Sequence, residues 1–323
     1  MPLLKQNSPP DYFTRSLIFV ISILTYSSRF IADKLFMCRI FGFRSVLKSG
    51  VHSSLVSAEN ALSCQSRRHP DGWGLVYYLA ENPHVVKSTD TAETDELFRR
   101  VSGVVSSETV LAHVRKATHG KLSLINTHPF QHGRWTFAHN GNIREFSELL
   151  SKIETLVPDE FKRWRLGETD SELMFQFLLS RLAKKIDLQN AAPDIQVVME
   201  TLGTAIEELV DLIGPLADRE TGTPTENYLT FVLTNGRVMV ALQGGLGLHW
   251  STHKKRCPDR DTCASLMPLC ESAAKSSDKV NHLIISSEPL QGHNVWQKMK
   301  VGEMIAVDAE MQLFHHFVKL PVT

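Results

Sequence analysis

The stretch Phe36-Met37-Cys38-Arg39-Ile40-Phe41-Gly42-Phe43, FMCRIFGF, decides how this chain is read. A methionine followed by cysteine and an apolar, strand-like run has the form of a protein's beginning, yet it lies inside a chain of 323 residues. If Cys38 becomes a first residue, it carries a free α-amino group beside its thiol. That amine has an ordinary pKa of about 7.7–8 and can take the thiol proton near neutral pH. One residue then supplies both nucleophile and base. Held inside a longer chain, the same cysteine is only a small buried hydrophobe.

Residues 1–36 differ from the remainder. Ser16–Tyr26, SLIFVISILTY, is apolar and preceded by Arg15, which resembles a signal-peptide core and is too short for a spanning helix. The large residues Leu35, Phe36 and Met37 fit neither a signal-peptidase nor a lipoprotein cut before Cys38. The expectation is an extension over 1–37, read as an over-long start with initiation at Met37 or as a propeptide. One domain is expected over 38–323. Five cysteines in odd number make no disulfide framework and point to a reducing, cytoplasmic compartment. Lys+Arg and Asp+Glu balance at 35 each with no long basic run, which argues against nucleic acid or an anionic membrane as partner.

From Met37 onward, short apolar runs of strand length alternate with a few helical patterns. Strands are predicted at 38–43, 73–80, 109–117 and 134–141, the last ending on Asn140-Gly141 as a turn signal. Helices are predicted at 52–63, 144–153 and 195–213. Another follows a cap at Thr169 or Asp170, with Leu173, Phe177, Leu178 and Leu182 as its apolar stripe. Strands return at 228–233, 238–242, 282–286, 304–307 and 313–318, while 219–227 and 252–278 read as loops. Strands, then helices, then strands predict a layered α+β domain.

Five stretches gather Gly, Asn, His and Arg at strand ends, where sites are usually built. They are MCRIFGF, HPDGWG (69–74), HVRKATHG (113–120), NTHPF (126–130) and AHNGN (138–142), and ETDSE (168–172) follows them. Each has a plain alternative: a turn at Asn140-Gly141, a surface ion pair at Arg115, a helix cap at Asp170. Together and in this order they resemble the class II glutamine amidotransferases, which belong to the N-terminal-nucleophile hydrolases. The resemblance runs from Met37 to about Leu182 and returns more weakly in ISSEPL (285–290).

The resemblance implies a four-layer αββα sandwich and hydrolysis of the γ-amide of glutamine or of a γ-glutamyl compound. It makes Cys38 the nucleophile, with the Asn140 side chain and the Gly141 N–H as oxyanion donors. Arg115 would grip the substrate carboxylate and Asp170 its α-ammonium, with Thr118 and His119 in the same binding loop. A planar guanidinium suits a bidentate carboxylate contact. Asp71-Gly72-Trp73-Gly74 is read as framing the site. Lys116 departs from the family's RWATHG, where a tryptophan stands. No phosphate loop of the G-x-x-x-x-G-K type follows, so the likeness is to stand-alone members, including the γ-glutamyl hydrolases of glutathione breakdown and ergothioneine synthesis. Such proteins act alone or pass ammonia to a separate partner. No cofactor and no metal is implied.

Two rival readings remain at this stage. His113, His119, His128 and His139 could gather around zinc in a metal-dependent hydrolase, although their spacing fits no standard ligand pattern. Cys257, Cys263 and Cys270 are weaker still as a structural zinc site, lacking CxxC spacing. If the extension stays attached, the fold could instead be a non-catalytic γ-glutamyl-binding module.

Overall fold

The computed structural model describes residues 37–257, 261 and 270–323. Residues 1–36 of the extension lie outside the described residues, as do 258–260 and 262–269 of the stretch read as the loop 252–278, and with them Cys263.

Among the described residues there are thirteen strands: β1 Arg39–Gly50, β2 Trp73–Leu79, β3 Asn82–Ser88, β4 Ser106–Val114, β5 Phe130–His132, β6 Trp135–Asn142, β7 Tyr228–Thr234, β8 Met239–Leu242, β9 His249–Ser251, β10 His282–Ser286, β11 Gln297–Lys298, β12 Glu303–Val307 and β13 Leu313–Phe317. They form a seven-stranded sheet in the order β11-β9-β10-β1-β4-β2-β3 and a six-stranded sheet in the order β13-β12-β8-β7-β6-β5. The helices are α1 Leu62–Gln65, α2 Glu96–Val104, α3 Phe146–Leu156, α4 Asp159–Lys162, α5 Asp170–Leu182 and α6 Ile195–Ile213.

The layering follows from strand parity, because successive side chains point to opposite faces. In β1, Ile40 enters a core shared with Leu111, Ala138, Val232 and Met239, between the two sheets. A Cβ on Gly42 would lie 3.3 Å from Val232 Cγ1 and 3.4 Å from Met239 Sδ, so this residue also faces the second sheet. Phe41 and Phe43 point the other way, onto Leu55, Leu62 and Phe98 of the outer helical layer. On the second sheet, Phe137 and Phe231 turn outward beneath α5 and α6, where Phe137 stacks on Phe175 at 5.2 Å. Helix, sheet, sheet and helix thus make the αββα sandwich.

Helix α5 is buried at every residue except Arg181, whose guanidinium pairs with Glu208 of α6. Thr169 caps it by accepting the Glu172 N–H at 3.2 Å. Helix α6 has the 195–213 span that its apolar period predicts.

Three expectations need correction. Asn140-Gly141 is not a turn: both residues lie inside β6, opposite Thr230 and Leu229 of β7. The helix predicted over 52–63 is one wide turn at Ser53–Ser57 followed by the single turn of α1, since Ala58 and Ala61 leave the helical region. Strand β3 went unpredicted because Pro83 interrupts its pattern, which an edge strand such as this one tolerates.

Candidate active site

The even positions of β1 face the second sheet, and Cys38, just before the strand, continues that series. The Cys38 Sγ accepts the Lys116 N–H at 3.1 Å and lies 3.3 Å from the Lys116 carbonyl oxygen. The thiol is therefore seated against the RKATHG segment that follows β4. Burial pushes its pKa up to about 11, an effect only partly opposed by the Lys116 N–H and the nearby charges of Arg115 and Arg39. With Met37 still attached, the thiol is protonated at neutral pH and has no adjacent amine.

The HPDGWG segment holds the RKATHG segment in place. Asp71 N–H donates to Arg115 O (3.1 Å), Arg115 N–H to Gly72 O (2.8 Å), and the Asp71 carboxylate accepts the Ala117 N–H (2.8 Å). A Cβ on Gly74 would sit 2.0 Å from the His128 carbonyl oxygen, so this glycine lets the NTHPF backbone close on the frame.

Arg115 is buried, and its guanidinium donates to the carbonyls of His119 (3.0 Å) and Lys121 (3.3 Å), bracing its own loop. Thr118 and His119 are half-buried on the rim. The His119 Nε2 lies 2.8 Å from Asn142 Oδ1 and 4.0 Å from Asp170 Oδ2. Asp170 opens α5, and its carboxylate accepts N–H groups from Ile143 (2.9 Å) and Ser171 (2.8 Å). The structure thus brings His119 and Asp170 together with Asn142, a residue that sequence reasoning passed over. Its signal was the AHNGN run itself, two positions beyond Asn140 and of the same parity.

Asn140 shares the inward face of β6 with Ala138, and its side-chain Oδ1 is buried without a hydrogen-bond partner among the described residues. Gly141 opposes Leu229, whose N–H is used by Gly244 O on the β8 side (2.7 Å). Antiparallel alternation then turns the Gly141 N–H away from β7, and β5 pairs with β6 only over Trp135–Phe137. Packing also requires a glycine at this position. A Cβ there would lie 2.0 Å from His139 Nε2 and 2.2 Å from Tyr228 O, blocking the contact between those two groups.

The four histidines of the zinc reading are engaged separately. His119 is on the rim, His139 binds Ser171 Oγ and Tyr228 O, and the His113 and His128 rings pack at a tilt with centroids 4.2 Å apart. Burial holds the pKa of His113, His128 and His139 down. Among the described residues, no three His, Cys, Asp or Glu side chains converge as metal ligands would.

The family model of the class II glutamine amidotransferases matches residues 37–314. The chain belongs to this family. The amidotransferase is 29% identical over 247 residues to YafJ of Escherichia coli, covering 73% of this chain and 84% of that one. It is 25% identical over 314 residues to DUG3 of Saccharomyces cerevisiae, covering 87% and 85%. Both relatives carry "glutamine amidotransferase" in their names. The solved structure of a glutamine aminotransferase class-II domain protein from Silicibacter pomeroyi superposes with a TM-score of 0.56 at 20% identity, over 87% of this chain and all of that one. The sandwich is accordingly the N-terminal-nucleophile fold, and the amidotransferase is an enzyme of glutamine amide hydrolysis or transfer. No helix among its described residues is long and apolar enough to cross a membrane.

Around Met37 the amidotransferase has a small apolar niche. Met37 is buried with Ala217, Tyr228 and Leu246, and a Cβ on Gly222 would come within 2.6 Å of its Cγ. Arg39 Nη1 donates to the carbonyls of Met37 (2.9 Å) and Cys38 (3.1 Å), and the guanidinium is anchored by Glu288 at 2.8 Å.

Proposed function

We propose that the chain hydrolyses the γ-amide of a γ-glutamyl compound through a thioester on Cys38, after Met37 has been removed. The observation that carries this reading is the seat of the Cys38 thiol against Lys116, between β1 and the loop of Arg115, Thr118 and His119. Freed of Met37, the Cys38 amine takes the Sγ proton and the thiolate attacks the γ-carbonyl. The Asn140 carboxamide and the Gly141 N–H receive the oxyanion. The tetrahedral adduct collapses to a thioester, and the departing amine takes the proton from the Cys38 ammonium. Water, giving a proton to the Cys38 amine, then attacks the thioester, and glutamate is released as that proton returns to Sγ. Arg115 and Thr118 hold the substrate carboxylate, while Asp170 and His119 hold the α-ammonium.

The niche favours a substituted γ-glutamyl amide over free glutamine. A leaving amine that takes its proton from the Cys38 nitrogen must lie where Met37 was attached. Glutamine releases only ammonia and leaves that space unfilled. A substituent that buries the area of a methionine side chain gains about 1.5–3 kcal/mol, roughly ten- to a hundredfold in kcat/KM. In this reading the protein acts alone or hands its product to a separate partner enzyme.

The test begins with mass analysis of the mature N-terminus and turnover of glutamine and γ-glutamyl amides. Cys38→Ala should abolish turnover while glutamate still binds. Full activity in that variant, or in protein retaining Met37, would sink the mechanism. Equal kcat/KM for glutamine and for γ-glutamyl amides of apolar amines would remove the preference.

A further inference from the structure

On the side of α5 turned away from Ile143, Glu172, Phe175, Gln176 and Leu179 form one stripe that walls a cavity of about 300 Å³. The volume is at the lower end of those that hold small organic ligands. Strand β3 closes it with Lys87, β5 with Phe130, and the segment after α4 with Trp164 and Leu166. It lies behind the loop of Thr118 and His119, whose later residues Leu124 and Ile125 also reach it.

Two polar groups there lack the partners that a purely structural cavity would provide. Gln176 is 5% exposed, yet neither its Oε1 nor its Nε2 has a hydrogen-bond partner among the described residues. Leaving a buried donor or acceptor unsatisfied costs about 1–3 kcal/mol. The Lys87 ammonium lies 5.4 Å from the Phe130 ring centre, and no described carboxylate pairs with it. Glu172, the nearest acid, directs its oxygens to the N–H groups of Leu166 (2.9 Å) and Gly167 (2.7 Å). Burial moves the Lys87 pKa down to about 8, partly opposed by the charge of Glu172, so much of its charge remains at neutral pH with no carboxylate in direct contact among the described residues. The rim is apolar and open: Trp164 is 63% and Leu166 73% exposed.

We propose that this cavity is a second ligand site, for a small carboxylate that bears an apolar side chain and a hydrogen-bond donor on the neighbouring carbon. Lys87 and the Gln176 Nε2 take the carboxylate, the Gln176 Oε1 takes the neighbouring N–H or O–H, and Phe130 and Trp164 flank the apolar part. N-acylated and 2-hydroxy derivatives of apolar amino acids have this chemistry. The site shares no residue with the thioester chemistry, so it stands whether or not Cys38 is the nucleophile.

The test titrates the full chain with N-acetyl-L-phenylalanine, following Trp164 fluorescence and melting temperature. Its neutral counterpart N-acetyl-L-phenylalaninamide and the acid D-lactate serve as comparisons. Saturable binding of the acid is expected, weaker by about tenfold for the amide, for Lys87→Met and for Gln176→Leu, as the loss of a charge-assisted contact implies. Trp164→Phe should remove the optical signal while the acid still raises the melting temperature. Without ligand, Gln176→Leu should melt no lower than the parent, because it deletes an unsatisfied amide. Equal binding by acid and amide, unchanged affinity in Lys87→Met and Gln176→Leu, or no saturation in the millimolar range would each overturn the proposal. So would an apolar contact between two copies that buries Trp164 without any small ligand.

Discussion

The space between the two sheets has two regions of opposite character, although the same strands line both. In the middle it is apolar, with Ile40, Leu111, Ala138, Val232 and Met239 in contact and fully shielded. Two or four residues further along the same faces stand Cys38, His113, Arg115, Asn140 and Asn142. Strand parity does not change between the regions, so each site residue points inward for the same reason as its core neighbour. What changes is the second sheet's cover, because β5 reaches only as far as Phe130, opposite Phe137, while β6 continues to Asn142. The candidate site is a core whose lid is missing. Polar groups at that end can keep unused hydrogen-bonding capacity, as Asn140 does.

Three substitutions or measurements would break or sharpen this contrast. The largest effect on turnover is expected at Asn140→Ala, about a hundred- to a thousandfold in kcat, typical for one oxyanion donor. Because the Asn140 Oδ1 has no protein partner among the described residues, the melting temperature should barely move. A large loss of stability with normal kcat would make Asn140 a core residue after all.

Thiol reactivity should differ next. With Met37 in place, burial holds the thiol near 11, so iodoacetamide at pH 8 should modify Cys38 roughly a hundredfold more slowly than a free cysteine of pKa about 8.5. The rate should climb toward pH 11 as the raised pKa is approached. In protein that begins at Cys38, the profile should instead follow the amine near 7.7–8. Identical profiles for the two forms would separate the amine from the chemistry.

The smallest effect on catalysis is expected in the apolar region. Leu111→Ala should cost about 2–5 kcal/mol of stability through lost burial and the cavity left behind. Its kcat per folded molecule should stay within about twofold, since no reacting group is touched. A denaturant melt and active-site titration of the same sample would check both halves.

Much of this was legible in the residues. The cysteine after Met37, the RKATHG segment, HNG and ETDSE point to one another's chemistry, and helix α6 was readable to its ends because a 19-residue apolar period is unambiguous. The failures were local signals overruled by tertiary contact. Asn-Gly is a strong turn signal in isolation, yet pairing with Thr230 and Leu229 keeps it extended. Asn142 and Arg39 look like ordinary polar residues until His119 and Met37 are seen beside them.

By itself, then, the sequence determined the groups on which the proposed mechanism draws: a cysteine directly after a methionine, and the Arg, His, Asn and Asp of the RKATHG, HNG and ETDSE stretches. Only the tertiary structure decided which of these meet. Cys38, His113 and Asn140 are separated by long stretches of chain, and it takes two packed sheets to carry their shared inward face to one open end. The Met37 niche and the cavity under Gln176 are likewise volumes between elements. Patterns along one chain specify the walls of such volumes, and the space itself exists only where the walls are brought together.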